Sequence, residues 1–396
     1  MKLLLLIDRI ENGGAERALT RLYDQLRDNC DLIVIAPNFP PNSKIDLSDK
    51  VVMDLHIRER DGLLGKVFSV FEYVFKLSKL KRDLDVDCTI SFLERSNIAN
   101  VVSEMISLRF RKTVVSVRNN LSLQYKKFGL LFRSIVRVAI SVFYFFAGKV
   151  VCLSEGVRSD IQQYLLFGGN SVTIYNGYDF EKIKSLALVR DDGLMKWQNS
   201  VSGCSCNFIF VGRLSEQKGL GIFLRAFAIA AEKYQHISLS VFGDGEDRDQ
   251  IMSEIESLGL TGKVFIHEPV ENVFSYVASA DVFVFPSKWE GFGNALAEAI
   301  SLGKFVLAAD CKYGPREMLG VSRDLNDSKF SVTKNGILYS NPVEDDDPVS
   351  TCFLALDECI RLIQEGRVQI CPVALSDFRR RFSVQSARKD WISLLT

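Results

Sequence analysis

At 396 residues the chain is too long for one ordinary core and suits two domains of roughly 150–200 residues each. Apolar residues make up 47% and charged residues 25%, which excludes a disordered or low-complexity protein. Basic and acidic side chains balance at 49 each, so no nucleic-acid partner is expected, yet residues 1–180 hold 25 basic against 20 acidic ones. That asymmetry points to a negatively charged partner for the first half.

The first apolar run, 3–7, is too short for a signal peptide and is stopped by Asp8 and Arg9, so it reads as a buried first strand. Further buried-strand signals follow at 32–36, 88–92, 114–117, 150–153 and 172–175. A second series occupies 207–211, 238–242, 264–266, 282–285 and 305–308. Helical patterns fill the gaps, for instance at 15–26, 221–233 and 246–258. The alternation predicts an α/β chain with two Rossmann-like, doubly wound parallel sheets facing a central cleft. The expected division is 1–180 for the first domain, 181–206 for a weakly patterned linker, 207–375 for the second domain, and 376–396 for a terminal helix.

Ligands in such folds sit at the carboxyl ends of strands. After the first strand, Gly13-Gly14 opens a helix and lets a phosphate or sugar approach the backbone; a tight turn without a ligand fits equally well. The third glycine of a dinucleotide fingerprint is absent, which leaves a nicotinamide oxidoreductase weakly supported. After 207–211, Arg213 and Lys218 leave one loop, and together they could stabilise a departing diphosphate without a metal. After 282–285, Glu290 and Glu298 bracket Gly291-Phe292-Gly293-Asn294 at the start of an apolar helix. The free backbone N–H groups there favour an anion, and the flanking carboxylates suit hydroxyls, so a nucleotide sugar fits.

The succession Gly13-Gly14-Ala15-Glu16, Gly212-Arg213-Leu214 to Lys218-Gly219, and Pro286-Ser287 through Glu290-Gly291-Phe292-Gly293 to Glu298-Ala299 resembles glycosyltransferase family 4. Asn176-Gly177-Tyr178-Asp179 resembles the family's domain handover, and Phe382-Ser383 with Trp391 its last, returning helix. The resemblance implies the GT-B fold and a retaining, metal-independent enzyme that uses a nucleotide-diphosphate sugar as substrate and no cofactor. It assigns Glu290, Arg213 and Lys218 to catalysis. Donor binding would fall to Gly14, Gly291, Phe292, Gly293, Asn294, Glu298 (on the ribose) and His267 (near the base). The expected reaction moves a hexose or N-acetylhexosamine, with a UDP-sugar favoured, onto a polyprenyl-linked or saccharide acceptor in bacterial polysaccharide biosynthesis. An epimerase or hydrolase of the same fold, and a binding subunit without catalysis, are the rival readings.

One departure concerns the first domain, where many family members carry a histidine and this chain has Arg118-Asn119-Asn120. Arginine cannot act as a base, so its role would be electrostatic, toward the sugar or an acceptor phosphate. Glu94 reads equally as an acceptor-side residue and as a cap for the following helix.

Two segments of the first half combine apolar and basic residues. One, 63–82, carries Val67, Phe68, Phe71, Val74 and Phe75 beside Lys66, Lys76, Lys79, Lys81 and Arg82; the other, 104–139, carries eight basic residues and a single acid, Glu104. They predict peripheral contact with an anionic membrane, at the inner face of the cytoplasmic membrane. No run of about 20 uncharged apolar residues is present, so no transmembrane helix is expected. Three histidines, nine scattered cysteines and the turn-like Asp85-Val86-Asp87 and Asp345-Asp346-Asp347 predict no metal site.

Overall fold

The computed structural model describes residues 1–8, 14–37, 50–58, 60–107, 112–125, 128–167, 170–321, 325, 328–368 and 370–396, with the backbone alone at 63, 64, 66, 67 and 123. Two compact units form, Met1–Gly177 with Val384–Thr396, and Tyr178–Ser383.

The first unit contains β1 (Lys2–Ile7), β2 (Asp31–Ala36), β3 (Val52–Asp54), β4 (Cys88–Phe92), β5 (Lys112–Val117), β6 (Lys149–Cys152) and β7 (Ser171–Thr173). Its helices are α1 (Gly14–Leu26), α2 (Gly62–Asp83), α3 (Glu94–Ser107), α4 (Leu121–Gln124), α5 (Leu130–Phe145) and α6 (Glu155–Tyr164). The strands are parallel in the order β3-β2-β1-β4-β5-β6-β7. The leucines of β1 alternate between two cores, because successive strand side chains point to opposite faces. Leu3 and Leu5 pack with Leu19 and Leu22 of α1, while Leu4 and Leu6 pack with Tyr73 and Leu77 of α2.

The second unit contains α7 (Phe180–Ala187), α8 (Asp192–Val201), β8 (Cys206–Val211), α9 (Leu220–Lys233), β9 (Ile237–Phe242), α10 (Arg248–Ser257), β10 (Val264–His267), α11 (Phe274–Ser279) and β11 (Val282–Phe285). It continues with α12 (Asn294–Ser301), β12 (Phe305–Ala309), α13 (Pro315–Leu319), β13 (Phe330–Val332), β14 (Gly336–Tyr339), α14 (Pro348–Gln364) and α15 (Pro372–Phe382). The sheet order is β10-β9-β8-β11-β12-β14-β13, parallel except for β13 against β14. A last helix, α16 (Val384–Leu395), belongs to the first unit, where Trp391 and Leu395 enter the α1-side core.

The expected boundaries shift. Residues 181–206, read as a linker, are mostly α7 and α8, and these belong to the second unit. Asp179 and Asp191 cap the two helices by accepting from the Lys182 and Leu194 N–H groups, and Leu194, Trp197 and Val201 are buried. The terminal segment 376–396 divides as well, since the end of α15 stays with the second unit. Phe378 and Phe382 of α15 pack on each other with ring centroids 4.7 Å apart. The sequence 104–139 is not one amphipathic element but the end of α3, then β5, α4 and the start of α5.

Candidate active site

In an open parallel sheet the strand order reverses at a switch point, and the loops at the strand carboxyl ends part there to leave a crevice. In the second unit the switch lies between β8 and β11. The loop after β8 makes one 3₁₀ turn, Glu216–Lys218, and ends at Gly219 with φ 65°. A Cβ at Gly219 would collide with the Pro286 carbonyl oxygen, so only glycine lets this loop approach the one after β11. Backbone and side chain then stitch the two together. The Lys288 N–H donates to Gln217 O at 2.8 Å, and Gln217 Nε2 to Trp289 O at 2.8 Å.

This stitching brings Lys218 to Glu290. Lys218 Nζ lies 2.5 Å from Glu290 Oε1, and Ser287 Oγ donates to the same oxygen at 3.0 Å. The Lys218 and Glu290 side chains are 20% and 10% exposed, so both are shielded yet reachable. The Lys218 ammonium also sits 5.7 Å from the Phe285 ring centroid. A third loop, after β12, clamps the Glu290 backbone: its N–H donates to Lys312 O at 3.0 Å, and its carbonyl accepts from Tyr313 N–H at 2.9 Å. In that loop Gly314 (φ 118°) lies against the Phe292 carbonyl so closely that a Cβ could not fit. The clamp was not foreseen from the sequence, although Gly314-Pro315, five residues beyond a buried strand, is a turn signal that could have found it.

The remaining expected donor residues divide by what their side chains do. Phe292 is 1% exposed and packs on Tyr178 and Phe382, so only its backbone can meet a ligand. Asn294 opens α12 and its Oδ1 accepts from Tyr178 Oη at 2.6 Å. Gly291 lies in the bend before α12, Gly293 is its left-handed N-cap, and Glu298 is half-buried one turn into the helix. Arg213 is exposed and makes no side-chain hydrogen bond or ion pair among the described residues. His267 ends β10 and stacks on Phe242 with centroids 4.5 Å apart and planes 17° apart. Burial lowers its pKa and keeps the ring neutral, and its buried Nε2 has no partner among the described residues.

In the first unit the switch point lies between β1 and β4. Gly14 is the first residue of α1; Arg9 to Gly13, including the first of the paired glycines, lie outside the described residues. Arg118, after β5, is 8% exposed, donates to Asn176 Oδ1 at 2.8 Å and lies 4.8 Å over the Phe92 ring. Asn119 beside it is exposed. Glu94 is the first residue of α3; burial raises its pKa, while its own backbone N–H and the Gln124 side chain favour the carboxylate. That position at a helix start is what a capping carboxylate needs.

Asp8, at the end of β1, was not singled out in the sequence. Its Oδ1 accepts from Ser96 Oγ at 2.8 Å, and that hydroxyl lies 3.2 Å from Tyr73 Oη. Burial raises its pKa from 3.8 to about 6, against the lowering effect of Ser96 and Arg95. Between those values the folded chain holds a proton that the unfolded chain releases, so this contribution is present at low pH and lost as pH rises through about 6. Asp8→Asn, which keeps the acceptor for Ser96, is expected to stabilise the protein by up to about 2–3 kcal/mol at pH 7.5. Thermal unfolding should show the gain shrinking as pH falls toward 5; a gain independent of pH would refute the assignment.

The family model for Glycosyltransferase Family 4 matches residues 12–182, and that for Glycosyl transferases group 1 matches residues 199–331. An uncharacterized glycosyltransferase of Methanocaldococcus jannaschii is 29% identical over 295 residues, covering 73% of this chain and 71% of its own. The N-acetylgalactosamine-N,N'-diacetylbacillosaminyl-diphospho-undecaprenol 4-alpha-N-acetylgalactosaminyltransferase of Campylobacter jejuni is 27% identical, covering 81% of this chain and 83% of its own. Among solved structures, HepE of Anabaena in complex with UDP gives a TM-score of 0.77 at 21% identity, covering 100% of this chain and 99% of that one. That likeness is one of fold, the GT-B arrangement of two Rossmann-like sheets. With one family model on each half and relatives alike over most of their length, the chain belongs to the family 4 glycosyltransferases.

Proposed function

We propose that this glycosyltransferase moves a hexose or N-acetylhexosamine from a UDP-sugar onto a lipid-linked saccharide acceptor in bacterial polysaccharide biosynthesis, with retention and without a metal. The carrying observation is the Lys218–Glu290 pair at the β8/β11 switch point, just before the start of α12. Such a site offers a fixed ammonium, the positive end of a helix and a carboxylate within one hydrogen-bond network. Arg213 adds a guanidinium able to grip phosphate oxygens bidentately. Glu298, one turn into α12, suits the ribose hydroxyls, and the neutral His267 ring suits a hydrogen bond to the base. The HepE complex with UDP and the undecaprenol-linked substrate in the Campylobacter enzyme's name support the donor and acceptor classes.

In this reading the C1–O bond to the β-phosphate breaks while the acceptor oxygen bonds C1 from the same face. The acceptor's proton passes to the departing phosphate oxygen. Lys218 and Arg213 stabilise the charge gathering on the diphosphate, and Glu290 sets its carboxyl group beside the sugar. Acceptor recognition falls to the first unit, through Arg118, Asn119 and Glu94.

Calorimetric titration with UDP, GDP and their sugars tests the donor, since binding at 100 times Kd stabilises by about 2.7 kcal/mol. A thermal shift with GDP and none with UDP would reverse the choice of base. Transfer assayed by NMR in EDTA should give a product with the donor's anomeric configuration. Donor turnover that needs no acceptor would favour the epimerase or hydrolase reading instead.

A further inference from the structure

We propose that α5 is a membrane-docking helix, lying in the plane of an anionic bilayer with its apolar stripe inserted among the lipids. Of its 16 residues only Ile140, Ser141 and Tyr144 are buried. Leu131, Ile135, Val138, Val142 and Phe145 are exposed by 77%, 59%, 48%, 37% and 58%. Their spacing of four, three, four and three makes one continuous helical stripe. Leu130 extends the stripe at its start, 79% exposed, and Phe146 at its end, 53% exposed. Phe167 packs against Phe145 from the loop after α6, with ring centroids 6.0 Å apart. Monomeric soluble proteins rarely leave so continuous an apolar surface in water without a partner for it.

Charge decides which partner. Arg133 and Arg137 lie on α5 itself and Lys149 follows it, and the sequence holds no acidic residue between Glu104 and Glu155. A second copy of the chain would bring the same unbalanced positive charge against itself. An anionic lipid surface supplies both the negative headgroups and the apolar interior, and a helix of this kind sinks its apolar face about 5–10 Å into the boundary. Sixteen residues fall short of the roughly 20 needed to cross. No described helix is long and apolar enough to cross a membrane.

The structure also narrows the sequence expectation. In α2, Val74 and Lys81 are buried rather than presented to lipid, although Phe68, Phe71 and Phe75 are exposed. The side chains of Lys66 and Val67, and residues Arg109, Arg111, Lys126 and Lys127, lie outside the described residues. The helix with the most exposed apolar stripe extends beyond both segments marked from the sequence.

The proposal deepens the membrane-side reading of the acceptor, and its test contains neither donor nor acceptor, so failure would leave the transferase reading standing. Full-length protein is mixed with vesicles of phosphatidylcholine, with or without 30% phosphatidylglycerol, and floated on a density gradient. Binding to the anionic vesicles should exceed binding to neutral ones at least tenfold. The Leu131→Glu/Ile135→Glu variant should lose at least tenfold, while its thermal midpoint stays as in wild type. In Ile135→Trp, the added fluorescence should shift to the blue and be quenched by brominated lipid. Wild-type binding by the glutamate variant, or unmoved fluorescence at position 135, would overturn the proposal. So would a dimer in light scattering that the glutamate variant converts to monomer, because the stripe would then be a self-association surface.

Discussion

Removing the Lys218 ammonium is expected to lower kcat/KM for sugar transfer by about 10²–10³-fold, the usual cost of deleting one preorganised electrostatic stabiliser. The effect follows from how the ammonium is held. Its partner is a carboxylate 2.5 Å away on a loop whose backbone is fixed from both sides, so the charge needs little reorganisation when a diphosphate forms nearby. Lys218→Ala should raise KM for the donor as well as lower kcat, because a diphosphate carries its negative charge in the ground state too. Glu290→Gln keeps the shape and an acceptor for Lys218 but removes the negative charge beside the sugar. It is expected to lower kcat by about 10²-fold or more while KM for the donor changes little. Both side chains are more than three-quarters shielded but lie in loops outside the main core, so unfolding midpoints should stay within a few degrees of wild type. Steady-state kinetics on purified variants provide the check. Near-normal turnover in either one would remove that residue from the site.

The contrast between these two residues and the loop that holds them explains what the sequence could reveal. Lys218 and Glu290 were legible because each is a charged residue in the loop that leads from a buried strand into a helix. The clamp at Lys312 and Tyr313 works through backbone groups, and backbone groups look the same at every residue. The strands divide on similar grounds. All eleven expected strands are present, because fully buried parallel strands write continuous apolar runs. β3 and β13 were missed because each is a three-residue edge strand, half-solvated and without such a run; β14 is buried but opens on Gly336, which leaves only Ile337, Leu338 and Tyr339 as an apolar run. The linker was misread because the polar and small runs Arg190-Asp191-Asp192-Gly193 and Ser202-Gly203-Cys204-Ser205 interrupt the apolar pattern around α7 and α8. Their capping aspartates were the better signal. Burial of polar groups is harder still to read. Lys81 carries the same charge as its solvated neighbours on α2, and only the packing of α3 against α2 makes it a core residue.

Lys81 supports the second large effect, on stability. Its side chain is 2% exposed and that of Glu104 is 9% exposed, with Nζ 3.2 Å from Oε2. Nζ also donates to Asn100 O at 2.9 Å and to Asn100 Oδ1 at 2.8 Å, so the buried ammonium is fully engaged. Burial pushes its pKa down to about 8, against the opposing pull of Glu104, and it remains charged at pH 7. Removing one member strands the other charge in the core, so Lys81→Met or Glu104→Leu alone is expected to cost about 3–5 kcal/mol. The double variant should recover at least half of that loss, because replacing a buried pair by apolar side chains of similar volume is often neutral. Urea unfolding of the four proteins at pH 7 measures the cycle; additive losses would mean that the two groups do not depend on each other. The pH dependence carries an independent sign. Between about 8 and 10.5 the unfolded chain holds the Lys81 proton more tightly than the folded one, so wild type should gain on Lys81→Met as pH rises through that window. The same network continues from Asn100 Nδ2 to Ser91 Oγ, from Ser91 Oγ to Asn97 Oδ1, and from Asn97 Nδ2 to Tyr144 Oη of α5. Tyr144 is one of only three buried residues in α5, so loosening the pair should also free the helix proposed to meet the membrane. Faster hydrogen exchange in α5 of Glu104→Leu, with α9 unchanged, is the expected mark of that link.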